Sequence, residues 1–119
     1  MKITFSVEYY EENGKSPVIE FYNDLSEKEV AKILREIDLL QRFGLSLGMP
    51  YIRKMEGTDE LWEMRIAHSS NIFRVFFFHY HEGRFILLHG LKKKTMKTPK
   101  RDIDVSLDRI KKYKEMYSK

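Results

Sequence analysis

Three apolar, aromatic-rich runs in the second half of the chain constrain its fold more than any other feature. They span Leu61 to Ala67, Ile72 to Tyr80 and Phe85 to Leu91. The short segments between them contain Ser69-Ser70 and Glu82-Gly83, and such polar or glycine-containing steps are typical of hairpin turns. The sequence therefore predicts an antiparallel three-stranded meander.

The first half of the chain carries strand and helix signals. Alternating apolar residues from Lys2 to Tyr10 predict a half-buried strand that ends at the Asn13-Gly14 turn. Ser16-Pro17 predicts the start of a short helix, because serine caps a helix and proline suits its first turn. A capping box from Ser26 to Glu29 begins a second helix, which is predicted to end near Gly44.

A loop is predicted after this helix, as far as about Asp59. Beyond the meander, Thr98-Pro99 repeats the signal for a helix start, and apolar residues then recur at helical spacing. The predicted element order is β-α-α-β-β-β-α. Together these features predict an α+β fold with a sheet packed on helices, in a single domain over residues 1–119.

Composition excludes several classes of protein. The chain has 119 residues, of which 42% are hydrophobic and 34% charged, so one folded core is expected. It has no cysteine, which excludes disulfides, thiolate metal sites and a cysteine nucleophile. No apolar run approaches the length of a membrane span, and the N-terminus lacks a signal pattern. The predicted location is the cytoplasm, with no membrane partner.

Charge is strongly polarised along the chain. Residues 1–30 contain three lysines and seven acidic residues, whereas residues 84–101 contain seven basic residues and no acidic one. Such a basic segment favours a polyanionic partner, above all nucleic acid. As an alternative, a run of charges is often only a solvated surface.

The register of the meander sorts its residues between two faces. Two-residue turns place Arg65 opposite Arg74, and Arg74 opposite Leu91. One face is predicted to be the core, with Trp62, Met64, Ile66, Phe73, Val75, Phe77, Ile86 and Leu88. The other face is predicted to be an open, concave surface with Glu63, Arg65, Arg74, Phe76, His89 and Leu91.

Such a surface suits cleavage of an RNA phosphodiester by its own 2′-hydroxyl. Arginine neutralises the charge that develops on the phosphate, and histidine or a lysine with a lowered pKa can transfer protons. No metal or other cofactor is required. The chain has four histidines, but no cysteine and no spacing typical of metal ligands, so the evidence for a metal site is weak. A purely structural role for the two arginines, paired with Glu63, is the alternative.

Several motifs together resemble a known family. They are Leu61-Trp62-Glu63-Met64-Arg65, Phe73-Arg74-Val75, and the segment from Leu87 to Pro99 with Asp102-Ile103 after it. This combination resembles the phage-derived branch of the HigB toxins, within the RelE/ParE superfamily. The resemblance covers nearly the whole chain. It implies a RelE-like fold, whose antiparallel sheet is mixed at one edge.

The resemblance also implies a function. A protein of this kind is the toxin of a type II toxin–antitoxin system. It is a ribosome-dependent endoribonuclease that cuts mRNA without a metal, and a HigA-like antitoxin inhibits it. The residues predicted to be catalytic are Arg65, Arg74, His89, Lys93 and Lys94. The residues predicted to bind RNA are Glu63, Lys92, Lys97, Lys100 and Arg101. The identity of the general base is left open. The alternatives are a ParE-like toxin that inhibits gyrase and a non-catalytic module that binds RNA or the ribosome.

Overall fold

A short strand and two helices open the chain, as predicted. The computed structural model describes residues 5–94 and 97–117. Strand β1 spans Ser6–Tyr9, helix α1 Pro17–Asn23 and helix α2 Glu27–Phe43. The part of the predicted first strand before residue 5 lies outside the described residues.

Both helix starts have the predicted caps. The Ser16 hydroxyl accepts a hydrogen bond from the Ile19 amide, which satisfies a free donor at the start of α1. Ser26 and Glu29 form a reciprocal capping box at the start of α2. At the other end, α2 stops at Gly44, whose positive φ of 59° favours glycine.

The predicted meander is confirmed. Strands β3, β4 and β5 span Trp62–His68, Asn71–Tyr80 and Arg84–Lys93, and adjacent strands are antiparallel. Strand β1 pairs in parallel with β5, so the sheet is mixed at that edge. Helix α3, Lys100–Tyr117, follows. With a further strand, β2 (Ile52–Lys54), the sheet in the described residues has five strands in the order β1-β5-β4-β3-β2.

The fifth strand corrects the predicted element order. Strand β2, Ile52–Lys54, lies in the segment that the sequence predicts to be a loop, and it pairs with β3 at the sheet edge. Ile52 is buried opposite Met64 and fixes the strand to the sheet. Three residues are too few to give an alternating pattern, so the sequence carried no signal for β2.

The predicted register holds in the first hairpin and near the arginines. Arg65 lies opposite Arg74, and Arg74 lies opposite Leu91. Beyond these pairs, a bulge between Phe76 and Phe77 shifts β5 by one residue. The second turn also has three residues, 81–83, instead of two. This one-residue shift moves side chains to the opposite face of the sheet.

The bulge therefore overturns part of the predicted core. The sequence predicts that Ile86 and Leu88 lie on the same face as Phe77. In the structure they pack on the opposite face, with Phe78. Phe85 and Leu87 take their places beside Phe77. All of these side chains are buried, so the sheet is apolar on both faces.

Helices cover the sheet on both sides. The first core contains Val18 of α1 and Ile33, Ile37 and Leu40 of α2. The second core joins the opposite face of the sheet to Ile110 and Tyr113 of α3. The expectation that the arginine face is an open surface is wrong, because α3 and the residues before it pack there.

Candidate functional site

The carboxylate of Glu63 is the centre of a cluster of arginines. Glu63 lies on β3 and is fully buried. Its Oε1 accepts a hydrogen bond of 2.5 Å from Arg65 Nε, and its Oε2 accepts one of 2.6 Å from the Thr98 hydroxyl. Arg74 Nε lies 3.7 Å from Oε2, and Arg53 Nε lies 3.9 Å from Oε1. We call Arg53, Glu63, Arg65 and Arg74 the arginine cluster.

The sheet itself builds this cluster. Arg53 pairs with Glu63 between β2 and β3, and Arg65 pairs with Arg74 between β3 and β4. Side chains of directly paired residues share a face, and residues two apart on one strand also do. Three neighbouring strands therefore direct four charged side chains to one place.

The arginine cluster carries more positive than negative charge. Three guanidinium groups surround one carboxylate. Burial lowers the pKa of Arg74 below its ordinary value, the nearby Glu63 carboxylate raises it, and the charges of Arg65 and Arg53 lower it further. Cations that are held close together and shielded from solvent are stabilised by an additional anion. The electrostatics of the cluster therefore suit a phosphate group.

The three arginines differ in their access to solvent. The side chain of Arg53 is 43% exposed, that of Arg65 is 16% exposed, and that of Arg74 is fully buried. The expectation that Arg74 lies on an open surface is therefore wrong. An anion that approaches from solvent meets Arg53 and Arg65 first, with Arg74 behind them.

The residues before α3 close the cluster on its inner side. Arg74 Nη1 donates a hydrogen bond of 2.8 Å to the carbonyl of Lys97. The next residue, Thr98, donates to Glu63. These two hydrogen bonds attach Lys97 and Thr98 to the sheet, and they hold the backbone of Lys97 against the arginine cluster.

His89 lies between the sheet and α3, and both of its ring nitrogens have partners. Nε2 is 2.6 Å from Asp102 Oδ1, and Nδ1 is 3.2 Å from Arg109 Nη1. Because an arginine can only donate, Nδ1 accepts and the proton of a neutral ring lies on Nε2, directed at Asp102. Phe76 stacks on the ring at 5.8 Å. This geometry fastens α3 to β5, and proton transfer by His89 requires one of these bonds to open.

The predicted basic residues fall into two groups. Lys92 forms an ion pair with Glu29 at 3.2 Å, and Lys100 forms one with Asp104 at 2.9 Å. The others are also exposed, but within the part of the chain that the structure describes they form no ion pair: Lys93, Lys94, Lys97 and Arg101. The second group is therefore better placed to contact a nucleic acid, and Lys97 is connected to the arginine cluster through its own backbone.

Comparison with protein families gives a match over most of the chain. The family described as "Phage derived protein Gp49-like (DUF891)" matches residues 20–111. The chain belongs to the Gp49-like family. This family is phage-derived and toxin-like, within the RelE/HigB group, so the resemblance seen in the sequence is confirmed at that level. A comparison with curated proteins gives no match.

Sequence reasoning missed three charged residues around the arginine cluster and His89. Arg53 lies on the unpredicted strand β2, and Asp102 and Arg109 lie on α3. The charged pairs of α3 with β5 depend on how the helix packs, which local patterns do not reveal. The sequence carries no signal for Arg53, because β2 is too short to show an alternating pattern and is defined by its pairing with β3.

Residues 5–94 and 97–117 contain no group of three or more side chains that suits a metal ion. Within the same ranges, no helix has the length and apolar character needed to cross a membrane.

Proposed function

We propose that this chain is the toxin of a type II toxin–antitoxin module and that it cuts mRNA on the ribosome. The observation that carries the proposal is the arginine cluster, with three guanidinium groups around one carboxylate and two of them reachable from solvent. The exposed lysines beside it supply further positive charge along the path of a nucleic acid. Membership of a toxin-like family supports the same conclusion.

The proposed reaction is transesterification by the RNA itself. The 2′-oxygen forms a bond to phosphorus, and the bond from phosphorus to the 5′-oxygen breaks. A base takes the 2′-hydroxyl proton, and an acid protonates the leaving 5′-oxygen. The products are a 2′,3′-cyclic phosphate and a free 5′-hydroxyl, so atoms and charge balance without water, a redox partner or a metal.

The arginines have a clear task in this reaction. Arg65 is partly exposed and is held by Glu63, so its guanidinium is oriented before RNA arrives. A fixed cation next to the phosphate stabilises the extra negative charge of the transition state. Arg74 contributes charge from behind, and Glu63 positions both groups. Lys93 ends β5 and Lys94 follows it, and both are exposed. They are the proposed proton-transfer residues, because a charged lysine can protonate the leaving 5′-oxygen.

The proposal includes two kinds of partner. The ribosome and its mRNA bind the basic surface formed by Lys93, Lys94, Lys97 and Arg101. A HigA-like antitoxin inhibits the toxin when it covers this surface. An acidic antitoxin segment suits it, since opposite charges favour binding.

Primer extension tests the proposal and separates it from its alternatives. Purified protein is added to translating ribosomes, and the 5′ ends of the downstream mRNA fragments are mapped. We expect cuts in phase with the codons, and no such cuts with Arg65→Ala. Intact mRNA together with poisoned gyrase would instead indicate a ParE-like toxin. Intact mRNA with ribosome binding alone would indicate a non-catalytic module.

A further inference from the structure

A groove lies at the outer edge of the sheet, next to the arginine cluster. It has a volume of about 390 Å³ and is bordered by strand β2, by the turn before β2, and by Trp62 of β3. This volume lies within the range of small-ligand sites. Arg53, on the edge strand β2, lines the groove and also belongs to the arginine cluster. Ile52 and Trp62 place the groove on the sheet face of the first core, whereas the cluster lies on the opposite face, so the two sites meet only at Arg53, at the edge of the sheet.

The walls of the groove combine apolar and charged groups. Leu45, Met49 and Trp62 provide apolar surface, and Met49 is 77% exposed. Met49 alone would be ordinary, but together with Leu45 and Trp62 it forms a continuous apolar wall in a concave site, as in ligand-binding grooves. Arg53 and Lys54 add two positive charges, and Glu56 adds one carboxylate.

One class of ligand fits all of these features. A ligand that passes round the sheet edge at Arg53, from the arginine cluster into the groove, needs an anion at one end and a flat apolar group at the other. A nucleotide has both, because its phosphate suits arginine and its base packs on apolar and aromatic side chains. The Glu56 carboxylate can accept a hydrogen bond from the exocyclic amine of adenine, cytosine or guanine, which uracil lacks.

We propose that this groove binds the base next to the phosphate that is cut, and that Glu56 favours a base with an exocyclic amine. The inference rests on the proposed function and adds a specificity site to it. In this arrangement Arg53 binds the phosphate at the junction of the two sites, and Lys54 contacts the backbone of the RNA beyond the base.

Two variants test the groove. Met49→Glu places a negative charge in its wall, and Met116→Glu is the matched control. Met116 is also exposed, but it lies beside β1 at the opposite edge of the sheet. Single-turnover cleavage of ribosome-bound mRNA is measured against protein concentration. We expect Met49→Glu to raise the half-saturating concentration about tenfold, the scale of one lost base contact, with little change in the saturated rate. Met116→Glu should behave as wild type.

Base preference provides the second readout. The mRNAs differ only in the nucleotide beside the cut, which is adenine in one and uracil in the other. We expect wild type to prefer adenine and Glu56→Gln to lose most of that preference. Circular dichroism checks that each variant is folded.

The two proposals fail in different ways. If wild type cuts mRNA but Met49→Glu saturates as wild type does, the groove does not bind a base, and the proposed function stands. A preference that survives Glu56→Gln would overturn the role of Glu56. If wild type leaves mRNA intact, both proposals are wrong.

Discussion

Replacing the central carboxylate, Glu63→Gln, tests whether the arginine cluster is held together by charge. Glu63 and Arg74 are both fully buried, and their nearest charged atoms are 3.7 Å apart. Removing one partner of a buried ion pair usually costs about 3–5 kcal/mol of stability. Glutamine keeps the shape and can still accept the hydrogen bond from Thr98, so we expect a loss near the lower end, about 3 kcal/mol.

Equilibrium unfolding in urea, followed by circular dichroism, measures this loss. With a urea slope of about 1.5 kcal/mol per molar, the midpoint should fall by about 2 M. The matched control is Glu56→Gln, at an exposed carboxylate, which should change stability by less than about 0.5 kcal/mol.

A double variant separates charge from packing. In Glu63→Gln with Arg74→Met, the buried cation is removed together with its partner, so the loss should be smaller than the sum of the two single losses. If Glu63→Gln costs less than about 1 kcal/mol, the carboxylate is not the electrostatic centre of the cluster and the reasoning fails.

Three further predictions follow from other contacts. Arg65→Ala should lower the saturated cleavage rate about a hundredfold or more while the protein stays folded, whereas Arg74→Ala should lose both activity and stability because Arg74 is buried. A folded and fully active Arg65→Ala would contradict this role. Lys97→Ala should reduce the slope of log affinity for ribosomes against log salt by about one, while Lys111→Ala, on the exposed surface of α3, should not. Equal slopes for both variants would refute the assignment of Lys97. The hydrogen bond from Arg84 lowers the pKa of Glu8 below 4.5, so its stabilisation is present above that pH and is lost in acid. Urea midpoints of wild type and Glu8→Gln should therefore differ at pH 7 and converge towards pH 3, and a constant difference would contradict the pKa shift.

Much of the fold could be predicted because its signals are local. Helix caps, turn residues and the alternation of apolar residues lie within a few positions of one another, and the structure confirms α1, α2, α3 and the meander. The pairing of Arg65 with Arg74 could be predicted from the two-residue turn between β3 and β4. Such features depend on residues that are neighbours in the sequence.

The errors arose where distant residues decide the structure. The bulge beside Phe76 changes the register at Leu88, and the nearest glycine, Gly90, does not lie at the extra residue itself. Strand β2 exists because β3 offers an edge for pairing. The burial of Arg74 results from the packing of the segment before α3, whose backbone accepts its hydrogen bond. Periodicity in one strand carries no information about what covers that strand.

The most direct test of the central claim is cleavage of an mRNA with one 2′-deoxynucleotide at the position of the cut. The account assigns the attack to the 2′-oxygen, and the protein supplies only charge and proton transfer. We therefore predict that the deoxy-substituted mRNA stays intact at that position on the ribosome, while the all-ribose mRNA is cut there and leaves a 2′,3′-cyclic phosphate. Cleavage of the deoxy-substituted mRNA at an unchanged rate would contradict the proposed chemistry.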